Sequence, residues 1–107
     1  MTEMTESAME LPVLLEALLG LADRAKLEVR VVSAAAASRE FSPTESAACR
    51  VGERIWVVLA PNDPPAHHAR ILAQALVRFR GPFLEESFVA PGVRDFLERV
   101  GGEIRDR

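Results

Sequence analysis

ACRVGERIWVVLA, residues 48–60, carries the clearest local signal in the chain. Two runs rich in apolar and β-branched residues flank Gly52-Glu53. A two-residue loop with glycine at its first position suits a type II′ hairpin. That register sets Cys49 opposite Trp56 and Val51 opposite Arg54. Side chains alternate along a strand, so Cys49, Val51, Trp56 and Val58 share one face, and Ile55, Val57 and Leu59 share the other. IWVVLA is apolar on both faces, which predicts the central strand of a small antiparallel sheet.

Upstream, LEVRVVS (27–33) alternates, with Leu27, Val29 and Val31 on one side and Glu28, Arg30 and Val32 on the other. This predicts a half-exposed strand. Before it, Leu11, Leu14, Leu15, Leu18, Leu21, Ala22 and Ala25 recur at helical spacing. Ser7 with Glu10 matches a capping box and Pro12 suits a first turn, so a helix starts in this window and runs to about Lys26. Residues 1–6 are expected to fray. AAAASREFSPTESA (34–47) has no sustained period and reads as a long connection, whose Phe41 is able to fold over the sheet.

Downstream, PNDPP (61–65) ends the strand. Asp63 as N-cap and Pro64 at the first helical position open a helix to about Arg80, stopped by Gly81-Pro82. FLEESFVA (83–90) reads as extended or irregular. Pro91 opens a short last helix, PGVRDFLERV, and Gly101-Gly102 ends it, leaving 101–107 as a tail. The expected fold is α+β: a three-stranded, mainly antiparallel sheet with an N-terminal, a central and a short C-terminal helix packed on one face, in a single domain 1–107.

Composition narrows the function classes. At 107 residues there is room for one small core. Hydrophobic residues at 49% and charged residues at 27% give a globular balance, not a disordered one. The net charge of -3, with acids and bases interspersed, makes no basic field for nucleic acid or an anionic membrane. Arg70, Arg78, Arg80, Arg94 and Arg99 are diluted by Glu85, Glu86, Asp95 and Glu98. Lys26 is the one lysine, and the heavy use of arginine and alanine looks like a GC-rich bacterial genome. Cys49 is alone, so it forms no intramolecular disulfide and fits a reducing compartment. MTEMTESAME is acidic and lacks the basic start of a signal peptide, and LPVLLEALLGLA is interrupted by Glu16 and too short to span a bilayer. A soluble, cytoplasmic protein is expected.

His67 and His68 stand side by side near the start of the central helix. On a wheel of about 100° per residue, Ala69, Leu72, Ala73, Leu76 and Phe79 form an apolar stripe. His67, Arg70, Gln74 and Arg78 form a polar face, with His68 at the boundary. Two ligands on one helix should be three or four residues apart to share an ion, so no metal site and no cofactor is expected here. Cys49 reads as a small buried hydrophobe, not a nucleophile. There is no G-x-S-x-G elbow, no G-x-G-x-x-G and no Walker A sequence.

Two resemblances follow from these segments. Over about Leu11–Arg80 the element order resembles that of small zincin metallopeptidases, whose post-hairpin helix carries H-E-x-x-H. Here that helix reads LAQALVR, Leu72–Arg78. Gln74 stands at the first histidine, Ala75 at the general-base glutamate and Arg78 at the second histidine. The resemblance implies a zincin-like arrangement without its zinc chemistry. CRVGERIWVVL, LAQAL and APGVRDFLE also resemble segments of a family of small uncharacterised bacterial proteins. That likeness covers about Leu11–Val100 and implies a shared fold and no mechanism.

With helices on one side of the sheet, the other side stays open and is expected to be strongly hydrophobic. The sequence therefore points to a non-enzymatic interaction or regulatory module. Its candidate interaction face is Cys49, Val51, Trp56 and Val58, and it is expected to bind a protein partner or a second copy of itself. The alternatives are a hydrolase with an unrecognised site, a catalytically dead zincin-like domain, and a weak nucleic-acid binder.

Overall fold

A computed structural model describes residues 10–31, 46–61 and 63–105. The elements run α1 Leu11–Arg24, β1 Glu28–Val31, β2 Ala47–Val51, β3 Arg54–Leu59, α2 Pro65–Phe79, α3 Gly81–Glu86 and α4 Pro91–Arg105. The chain is an α+β domain, as the sequence indicated. Ser7, the 1–6 terminus, Phe41 and most of the predicted 34–47 connection lie outside the described residues.

Helix α1 starts with proline in its first turn and has Glu10 as an N-cap without a side-chain bond. Its end is more specific. Leu27 N–H donates to the Ala22 carbonyl at 2.9 Å, and Lys26 N–H to Asp23 at 3.1 Å. This is a Schellman closure, with Lys26 at φ 68°, a conformation usually left to glycine. Arg80 Nε then donates to the Ala25 carbonyl at 2.8 Å, tying the end of α1 to the end of α2.

The sheet has the order β1-β3-β2. The hairpin register is the predicted one, Cys49 opposite Trp56 and Val51 opposite Arg54. Gly52 takes φ 66°, as the first central position of a type II′ turn requires. The central strand is also the predicted one. One feature differs: β1 pairs with β3 in parallel, Glu28 with Trp56 through Val31 with Leu59, so the sheet is mixed. Of LEVRVVS, Val32 and Ser33 lie outside the described residues; Val31, which the alternation groups with Leu27 and Val29, is 67% exposed, whereas Leu27 is buried.

Ile55, Val57 and Leu59 are buried, while Trp56 and Val58 on the opposite face are half-buried. The alternation separates a sealed face from an open one. Helix α2 lies against that sealed face and also against α1 and α4. It is buried around much of its girth, with Ile71 and Ala75 buried alongside Ala69, Leu72, Ala73 and Leu76. The wheel placed only the second group in the core.

Three boundaries depart from the sequence reading. Helix α2 is capped by Pro64 and begins at Pro65, so Asp63 lies one step outside and its carboxylate is used elsewhere. Gly81-Pro82 stops α2 but also starts α3, because proline within the first turn suits a new helix; the segment after it is helical to Glu86. Helix α4 does not stop at Gly101-Gly102 but runs to Arg105, so 101–105 is not a tail. Gly101 is buried, and Glu103 pairs with Arg70 of α2, which holds the added turn in place.

Candidate functional site

The open face is built by alternate residues of three strands. Trp56 sits at its centre, between Glu28 on β1 and Cys49 on β2. Arg54, Val58, Arg30, Ala47 and Val51 surround it. Glu28 accepts a bond from Arg54 Nε and lies 3.9 Å from Arg30 Nη2. The Arg30 guanidinium carbon lies 4.6 Å from the Trp56 ring centroid, in cation–π range. The indole Nε1 is buried and has no hydrogen-bond partner among the described residues. The predicted face therefore exists as a geometric set, but it is not the strongly hydrophobic surface expected from IWVVLA. The reason is β1, whose outward residues are Glu28 and Arg30. Val51 is 53% exposed, and Cys49 is exposed, contrary to its reading as a buried hydrophobe.

The predicted polar face of α2 divides in two. Arg70 turns to α4, where it pairs with Glu103. His67, Gln74 and Arg78 instead line a groove of about 290 Å³ beside β2, together with Ser46, Ala48 and Ile71. His68 is half-buried, as expected at the stripe boundary, and its Nε2 donates to the Ala60 carbonyl at 2.8 Å.

At one end of the groove a serine, an aspartate and two histidines gather. Ser46 N–H donates to Asp63 Oδ2 at 2.7 Å, and Ala60 N–H donates to Ser46 Oγ at 2.8 Å. His67 Nε2 lies 3.9 Å from Asp63 Oδ2. The Ser46 backbone N–H holds the Asp63 carboxyl below its ordinary pKa; the Ser46 hydroxyl and the two histidines add to this, against the effect of burial. These are the residue types of a catalytic triad in the wrong order. A nucleophilic serine needs a histidine at its hydroxyl, with the aspartate behind that histidine. Here the aspartate bonds the serine directly, the hydroxyl is engaged, and Ser46 is buried. The cluster clasps the start of β2 to the end of β3 and the entry of α2.

Sequence reasoning missed Ser46. It lies in a stretch without periodicity, 17 residues from Asp63, and no local signal joins the two.

Among the described residues, no three His, Cys, Asp or Glu side chains gather to hold a metal ion, and no helix is long and apolar enough to cross a membrane. Compared with protein families, curated proteins and solved structures, the chain matches none.

Proposed function

We propose that this chain is a protein-interaction module that works through the open face of its sheet, with a second copy of itself as the partner. The observation that carries this reading is Trp56: a half-buried indole at the centre of that face, with a buried N–H that has no partner among the described residues. An unmet buried donor costs about 1–3 kcal/mol. A contact that displaces the Arg30 side chain gives the N–H a carbonyl to bond. Tryptophan and arginine are also the residues most enriched at the energetic centres of interfaces, and this face holds one of the first and two of the second.

The charge pattern favours self-association. Glu28 neighbours both Arg30 and Arg54, so a two-fold axis through the face brings carboxylate against guanidinium from each side. The exposed thiol of Cys49 suits a reducing, cytoplasmic setting.

Light scattering on the purified protein tests the reading. Wild type should be a dimer, and Trp56→Arg a folded monomer. Val51→Glu, at an exposed position on the same face, should also give a monomer. A wild-type monomer at every concentration contradicts the proposal, as does a dimer that survives both substitutions.

A further inference from the structure

A second surface runs along the edge of β2, apart from the Trp56 face. Among the described residues, β2 ends the order β1-β3-β2 and pairs on one side only. In a two-residue hairpin, Val51 and Arg54 form a hydrogen-bonded pair. Alternation then commits Cys49 to Trp56 and Ala47 to Val58. The N–H and C=O groups of Ala48 and Arg50 are left pointing to the open edge. Ser46 continues the same phase, and its N–H is taken by the Asp63 carboxylate at 2.7 Å. One end of the edge thus already holds a carboxylate of the chain itself.

The groove beside this edge becomes basic toward its other end. Arg78 lines it, and the Arg78 guanidinium carbon lies 5.2 Å from the Phe79 ring centroid. Arg50, on β2, lies 5.6 Å from the same centroid. Phe79 therefore gathers two guanidiniums. Both arginines are exposed, and among the described residues neither has a carboxylate within ion-pair distance. This stands out in a chain of net charge -3.

We propose that the groove takes an extended peptide segment with acidic side chains, added to β2 as a fourth strand, its carboxylates on Arg50 and Arg78. The outward N–H and C=O groups of Ala48 and Arg50 supply main-chain pairing, and the guanidiniums select the side chains. Gln74 lines the same groove, and its amide offers both a donor and an acceptor. A nucleic acid would use the guanidiniums but leave the strand edge unpaired, and Phe79, already stacked by two arginines, is no platform for a base.

A short blocked peptide alternating glutamate and valine is the probe, followed by amide NMR on the whole protein. Shifts should concentrate at Ala48, Arg50 and Gln74. Affinity should fall by about tenfold in each of Arg50→Gln and Arg78→Gln, the loss expected for one charge-assisted bond. N-methylation of alternate peptide amides keeps the charges and removes strand pairing, so it should weaken binding by at least about tenfold. Both substitutions are at exposed positions, and unchanged circular dichroism verifies the fold. The proposal is overturned by equal binding of the glutamine-for-glutamate or N-methylated peptide, by tighter binding of a single-stranded oligonucleotide, by shifts centred on Trp56, or by no binding at about 1 mM.

Discussion

Asp63 Oδ2 accepts the backbone N–H of Ser46 at 2.7 Å, joining the start of β2 to the entry of α2 across 17 residues of sequence. The bond favours the ionised carboxylate, so the folded-state pKa of Asp63 lies below the unfolded one. A depressed carboxylate contributes stability that is fully present above the unfolded pKa and is lost as pH falls through the folded value. The amide introduced by Asp63→Asn has no such titration. The stability gap between wild type and Asp63→Asn should therefore be open at neutral pH and close below roughly pH 4. Urea melts across this range check it, and a gap independent of pH would show that the carboxylate charge is not used.

Lys26 closes α1 in the left-handed region at φ 68°. A residue with a Cβ is disfavoured there by about 1–2 kcal/mol, and glycine offsets part of its advantage through greater freedom in the unfolded chain. Lys26→Gly should stabilise the protein by about 0.5–1 kcal/mol in denaturant melts. A loss of stability would contradict the Schellman closure at this position.

Gly20 and Gly102 sit inside helices, and a Cβ at either meets nothing within 4 Å. Gly20→Ala and Gly102→Ala should each raise stability by about 0.5–1 kcal/mol, the helix-interior difference between the two residues. The second substitution doubles as a test of the last turn of α4. If the chain after Val100 were a tail, Gly102→Ala would change nothing.

Leu76 is fully buried against the sheet, whereas Gln74, two residues earlier, lines the open groove. Leu76→Ala should cost about 2–5 kcal/mol and Gln74→Ala no more than about 0.5 kcal/mol. Equal losses would mean that α2 is rotated about its axis.

What could be read from the sequence was local. Gly52 and the alternation of Ile55, Val57 and Leu59 define the hairpin, its register and its buried face within a dozen residues. The direction of β1 was not legible, because period-two alternation is the same in parallel and antiparallel strands. Gly101-Gly102 looked like a stop, since glycine weakens a helix; the Arg70–Glu103 pair that supports the extra turn joins residues 33 apart. The same holds for the site. Cys49, Val51, Trp56 and Val58 were placed on one face by register alone, but their charged neighbours Glu28 and Arg30 come from β1, whose pairing was hidden. The four polar residues of α2 shared a wheel position, yet α4 claims one of them and the groove beside β2 the other three.

Trp56 is the only tryptophan, and the chain has no tyrosine, so near-ultraviolet emission reports the open face directly. If this face binds a second copy, the indole is buried further in the dimer than in the monomer. Emission of the wild-type protein should be followed on dilution alongside sedimentation velocity. The expected result is a shift to the red as dimers dissociate, with both signals sharing one midpoint. An emission maximum that does not change with concentration, in a protein that sediments as a monomer throughout, would contradict self-association through Trp56.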